Sequence, residues 1–281
     1  MATMAMDIDQ GGNRLRRFME VTAAVAVWLT ISLVFHLDSR GHLLLGIAVI
    51  AAFQWGVRRQ PLRTLWLRNG TSFHLDAAGW GIALLLALYP GYCVFSYVHS
   101  GAPWGKIGLG LATVAGAFPC AYSLRNFRRS MLRPFLLCLA TAGGLGVAVM
   151  IALAVGMGME HYTLLMRVQI GVTSMLRYVP IGFVVEEVSF RGAFDAHIHH
   201  PGESHGVLSA LFVSALWGLW HLPGVNGQMP LKMAIPMLVI VHSVLGLPLS
   251  IYWRRSGNLI VPSVAHALAD AVRNALVGGP A

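Results

Sequence analysis

A chain of 281 residues that is 56% hydrophobic and only 11% charged, with a mean hydropathy of +0.66, lies far from the balance of a soluble domain. Apolar stretches approaching the roughly 17 to 25 residues needed to cross a bilayer recur along it, which leaves no room for a sizeable water-soluble domain. The formal charge of +9 sits in short basic clusters at the ends of apolar segments, the pattern of topology signals and not of a nucleic-acid surface.

The first apolar run follows Arg14, Arg16 and Arg17, as in a signal peptide, but the further runs behind it predict a retained first helix. Apolar runs between charged or turn-rich breaks predict helices near 20–37, 42–57, 77–98, 105–124, 134–156, 169–196, 206–222, 231–252 and 258–277. The connectors carry the breakers: Gln60-Pro61 among Arg58, Arg59, Arg63 and Arg68, then Gly101-Ala102-Pro103, Arg125 to Pro134, Gly156 to His161, His199 to Gly202, Pro223 to Pro230, and Arg254 to Asn258. No internal repeat stands out. The expected fold class is all-α, a polytopic transmembrane bundle of about eight to nine helices, with 1–169 an N-terminal membrane region and 170–281 the part that carries the motifs. These form one integral membrane domain.

Counting Lys and Arg on alternate sides sets the orientation. With the N-terminus inside, the inner connections hold Arg14, Arg16, Arg17, Arg58, Arg59, Arg63, Arg68, Arg125, Arg128, Arg129, Arg133, Arg191, Arg254 and Arg255, and the outer ones hold Arg40, Lys106, Arg167 and Lys232. Fourteen against four predicts a cytoplasmic N-terminus and a C-terminus on the outer side. Cys93, Cys120 and Cys138 show no paired or metal-ligand spacing, so they read as buried thiols.

An ionisable side chain at the centre of a membrane helix costs about 2.5 to 3.5 kcal/mol on insertion scales, so each such group is a functional candidate. Three places qualify: Glu186-Glu187 with Arg191, His221, and His266 with Asp270. Residues four apart share a helix face, so Glu187 and Arg191 can pair while Glu186, turned about 100° away, points elsewhere. Trp217 lies one turn before His221 on the same side, and His266 and Asp270 are again four apart. Carboxylate, imidazole, and imidazole with carboxylate on three helices form an inventory for activating water and stabilising an oxyanion. His197, His199, His200 and His205 read as a solvated interfacial loop, His242 as hydrogen-bonded to a neighbouring helix, and Arg177 and Arg273 as snorkelling or locally paired.

Glu186-Glu187-Val188-Ser189-Phe190-Arg191 resembles the EExxxR motif of the CPBP family of intramembrane proteases, which includes the CAAX prenyl endopeptidases of the Rce type and bacteriocin-processing or self-immunity proteins. Trp217 to His221 is similar to that family's FxxxH, with Trp in place of Phe, and His266 to Asp270 to its HxxxN, with Asp in place of Asn. The resemblance covers about 170–277. It implies a helical bundle around a hydrated cavity that opens toward the cytosol, and hydrolysis near the C-terminus of a membrane-associated peptide or protein substrate, prenylated or bacteriocin-like. Carried over by position, Glu186 is the general base on water with His221 assisting, His266 and Asp270 hold the oxyanion, and Glu187 and Arg191, with Trp217 at the wall, support the site. An ionised Asp270 would repel an oxyanion, so the useful form is the protonated one. No cofactor is required on this reading. A zinc site made of Glu186, His221, His266 and Asp270 stays open beside it, as do a transporter or proton relay and a catalytically silent scaffold or immunity protein. Straight helices do not bring the three motifs to one depth, whereas tilted or broken helices around a wet cavity do.

Overall fold

The computed structural model describes residues 2–68, 70, 72–158, 161–199, 206–225 and 229–278. His200 and His205 lie outside the described residues. Within them the chain is helical apart from connections and one isolated antiparallel bridge, Leu67 to Asn258. In order, α1 is Ala2–Val34 and α2 Ser39–Ala52, prolonged by a π-helical turn Phe53–Arg58 and followed by a 3-10 turn Leu62–Leu65. Next come α3 (Ala77–His99), α4 (Trp104–Arg125), and α5 (Leu132–Cys138), which continues through a π turn Leu139–Gly143 into α6 (Gly144–Met157). The C-terminal part holds α7 (Leu164–Gly182), a π-helix Val188–Asp195 running into α8 (Ala196–Ile198), α9 (Val207–Trp220), α10 (Leu222–Val225), α11 (Leu231–Ser256) and α12 (Ile260–Val277).

Helix starts are set by side-chain caps that satisfy otherwise orphaned N–H groups. Asp38 accepts from the Gly41 amide at 2.8 Å and Asp76 from the Gly79 amide at 2.8 Å. α11 ends at Gly257, whose φ of 64° is the left-handed conformation glycine adopts without penalty. That turn delivers Asn258 to the bridge with Leu67. The Arg68 amide donates to the Gly257 carbonyl at 2.9 Å, the Leu259 amide to the Trp66 carbonyl at 2.9 Å, and Asn258 Nδ2 to the Ser123 carbonyl at 2.8 Å. The start of α12 is therefore pinned to the end of α4 and to the 3-10 turn.

Among the described residues, six helices are long and apolar enough to cross a membrane: 13–34, 39–58, 77–99, 104–125, 129–156 and 231–256. This is an integral membrane protein, but not one of nine equal spans. α9 is a shorter apolar helix, and the segment expected as a single helix over 169–196 is broken. Its break has a local cause. Pro180 cannot donate to the helical ladder and crowds the preceding turn, α7 ends at Gly182, and Phe183 to Val185 form turns before helix resumes at Glu186. The Phe183 carbonyl left over by the break accepts the Trp66 indole N–H at 2.8 Å. Close approach is also required on the other side, since a Cβ on Gly116 of α4 would sit 2.1 Å from the Pro180 carbonyl oxygen.

The core lies where α9, α11 and the π-helix meet, with Trp28, Phe190, Phe194, Trp217, Trp220, Trp253 and Leu249 fully or almost fully buried. α9 and α11 come together because Gly218 carries no Cβ, which would lie 2.4 Å from the Leu238 carbonyl oxygen. α7 and α12 run antiparallel, with Gly182 beside Ser263 and Asn274 bonded to Ser174 and Tyr178 at 3.2 Å each.

Candidate active site

The break in the membrane segment solves the depth problem that straight helices pose. Glu186 and Glu187 stand at the restart of the helix, where α9 ends at His221 and α12 presents His266. Glu186 Oε2 lies 4.0 Å from His221 Nε2 and 3.9 Å from His266 Nε2, and accepts a hydrogen bond from Trp217 Nε1 at 3.3 Å. All three motifs therefore converge on one carboxylate oxygen.

Hydrogen-bond partners fix how each ring is presented. His221 Nδ1 faces the Trp217 carbonyl at 2.9 Å. A carbonyl only accepts, so Nδ1 carries the proton and Nε2 turns toward Glu186. His266 Nδ1 faces Glu187 Oε1 at 2.9 Å, and its Nε2 lies 3.6 Å from Asp270 Oδ2. A separation near 4 Å is too long for a direct hydrogen bond, but approaches the roughly 4.5 Å between two acceptors that share one water.

The Glu187–Arg191 pair forms as expected, at 3.3 Å with side chains 1% and 0% exposed. The helix that carries it is π-type rather than α, which keeps residues four apart adjacent. Glu186 does not point away from its neighbour, however: both carboxylates reach His266, one at each ring nitrogen. The Arg191 guanidinium also stacks over Trp217, 4.4 Å from the ring centroid, and donates to the Gly246 carbonyl at 3.5 Å.

Asp270 Oδ1 lies 3.0 Å from Arg273, a pairing that the i, i+3 spacing of the two residues already signals in the sequence. Other residues join the site without a clear sequence cue. His242 bonds within its own helix, Nδ1 to the Leu238 carbonyl at 2.7 Å, and not to a neighbouring one. Its ring stacks on His221 with centroids 4.2 Å apart and meets Trp217 edge-on at 4.7 Å. Trp217 is more than a wall, because its N–H, which Phe lacks, is bonded to Glu186. The glycine that follows the motif, Gly192, is required sterically, since a Cβ there would lie 2.3 Å from the Leu65 carbonyl oxygen.

Glu186, Glu187, His266 and Asp270 line a cavity of about 420 Å³ that runs to Asp38, Arg40 and Lys106. Asp38 caps α2, Arg40 lies in the first turn of α2 and Lys106 in the first turn of α4, and these two helix starts approach each other closely enough that a Cβ on Gly105 would lie 3.2 Å from Arg40 Cβ. This is the arginine-poor end of the bundle. Cys93 and Arg177 also line the cavity. Cys120 and Cys138 are buried, whereas Cys93 is half-buried, and Arg177 Nε is buried without a hydrogen-bond partner among the described residues. Also among the described residues, no group of three or more His, Cys, Asp or Glu side chains is arranged to hold a metal ion.

Fold and site define a polytopic helical membrane protein with a carboxylate–imidazole centre at the wall of an internal cavity. The sequence profile of the family described as type II CAAX prenyl endopeptidase Rce1-like matches residues 167–272, a stretch that contains all three motifs. The resemblance read from those motifs is thereby borne out, and with it the general reading of a CAAX-type intramembrane protease. No curated protein and no solved structure matches the chain.

Proposed function

We propose that this chain is an intramembrane endopeptidase that hydrolyses a peptide bond of a membrane-associated substrate, CAAX-type and prenylated or bacteriocin-like, inside the 420 Å³ cavity. The observation that carries the reading is the convergence on Glu186 Oε2 of His221 Nε2 at 4.0 Å and His266 Nε2 at 3.9 Å. Glu186 takes a proton from a water held between itself and His221 Nε2. The water oxygen attacks the scissile carbonyl carbon, the oxyanion accepts a hydrogen bond from His266 in its doubly protonated form, and Glu186 passes the proton to the leaving amine. Glu187 fixes His266 through Nδ1, Arg191 and Trp217 hold the two glutamates, and Asp270 with Arg273 positions the His266 ring. With the arginine-rich end in the cytoplasm of a plasma-membrane protein, substrate enters from the opposite side or laterally from the bilayer.

The test is cleavage of a membrane-anchored CAAX-type peptide by purified protein, compared with Glu186→Gln. General-base catalysis contributes about 10²- to 10⁴-fold, so kcat should fall by that factor while the thermal unfolding midpoint stays near wild type. Cleavage that survives Glu186→Gln undiminished overturns the assignment.

A further inference from the structure

A second cavity, about 560 Å³ and polar, opens at the other end of the bundle, between α1, the π turn after α2, the 3-10 turn and α8. Arg16, Arg17, Arg58, Arg68, Glu20 and His197 line it. Among the described residues, four guanidiniums thus face a single carboxylate, and that carboxylate is already engaged: Glu20 Oε1 accepts from Arg16 at 2.8 Å and Oε2 meets His197 Nε2 at 2.8 Å. Asp195, which also lies at this end, is held on both oxygens by Arg254, at 2.9 and 2.6 Å.

Arg17, Arg58 and Arg68 make no ion pair among the described residues, and their hydrogen-bond partners are neutral. Arg58 donates to Gln54 Oε1 and to the Gly192 carbonyl, both at 2.8 Å, Arg17 to the His197 carbonyl at 3.5 Å, and Arg68 to the Arg254 carbonyl at 3.4 Å. Like charges collected around one hollow repel, and their remaining N–H donors match the paired oxygens of a phosphate.

We propose that this cavity binds the phosphate of an anionic membrane lipid headgroup. Apolar side chains on the outer faces of the elements that line the cavity favour a lipid over a soluble phosphate. α1 exposes Leu15 and Met19 beside Arg16 and Arg17, and the π turn exposes Trp55 three residues before Arg58. Apolar surface and an interfacial Trp next to a basic hollow at the helix ends suit an acyl chain below and a headgroup above. The consequence reaches the catalytic segment. Arg58 bonds the carbonyl of Gly192, the residue after Arg191, so an anion seated among these guanidiniums braces the π-helix that carries the Glu187–Arg191 pair. None of this depends on the protease reading.

The experiment is thermal unfolding of the full-length protein in nonionic detergent, titrated with phosphatidylglycerol, phosphatidylcholine or sodium phosphate. Phosphatidylglycerol should raise the midpoint saturably, by several degrees. Arg17→Gln/Arg68→Gln should weaken the apparent affinity at least tenfold, while the charge-matched Arg128→Gln/Arg255→Gln, at the same end but outside the cavity, should leave it within twofold. Arg17→Lys/Arg68→Lys guards against a folding defect and should restore most of the response. An equal shift with phosphatidylcholine, an equal shift with sodium phosphate, or an equal loss in the charge-matched pair each overturns the proposal.

Discussion

Replacing Glu187 by Gln tests whether the doublet of acids is a desolvated structural device, independently of any assay of activity. Glu187 and Arg191 are 3.3 Å apart, with side chains 1% and 0% exposed. Removing one member of such a pair leaves the other buried and uncompensated, which costs about 3 to 5 kcal/mol. Two features place the loss at the lower end. The amide oxygen of Gln still accepts from His266 Nδ1, now at 2.9 Å from Glu187, and Arg191 keeps its stacking on Trp217 at 4.4 Å. A loss of about 3 kcal/mol corresponds to a midpoint lower by roughly 6 °C or more in a chain of this size. Adding Arg191→Met removes the orphaned cation, and because neither charge then has to be desolvated, stability should return to within about 1 kcal/mol of wild type. Thermal and chemical unfolding of the two variants in detergent measures both steps. A loss below about 1 kcal/mol for Glu187→Gln would mean that cavity water screens the pair. A double variant no better than the single one would mean that Arg191 is not the stranded partner.

Three other outcomes follow from the geometry. Trp217→Phe restores the family's usual residue but removes the N–H that donates to Glu186 at 3.3 Å. Losing a long hydrogen bond to a carboxylate is worth about 1.5 kcal/mol, so kcat/KM for the CAAX-type peptide should drop about tenfold, and a change under twofold would leave that bond without a catalytic role. Gly192→Ala places a methyl 2.3 Å from the Leu65 carbonyl oxygen, and the forced backbone shift should destabilise the protein by about 1 to 3 kcal/mol, visible in the same unfolding assay. At the start of α3, the Arg125 guanidinium beside Asp76, helped by the Gly79 amide, holds the Asp76 carboxyl below its ordinary range. A depressed folded-state pKa gives stability that is present above the unfolded value and lost as pH falls, so the midpoint difference between wild type and Asp76→Asn should shrink from about pH 5 to about pH 3.

Composition alone decides that this is a helical membrane protein, because a chain 56% hydrophobic has too few polar groups to cover a water-soluble surface. Helix-period spacing also pairs Glu187 with Arg191 and sets His266 beside Asp270, since positions four apart stay adjacent whatever surrounds them. What spacing cannot supply is the meeting of distant segments. Glu186, His221 and His266 share one point only because Pro180 and Gly182 end α7 early and Trp66 caps the freed carbonyl of Phe183. Apolar periodicity runs through that break unaltered, so hydropathy draws one helix where there are two. The same limit hides the Trp217 N–H on Glu186, the stacking of His242 on His221 and the arginine-lined hollow at the far end. Each depends on which faces of separate helices are turned together, and that is settled by close backbone approaches at Gly116, Gly192 and Gly218 that no local pattern announces.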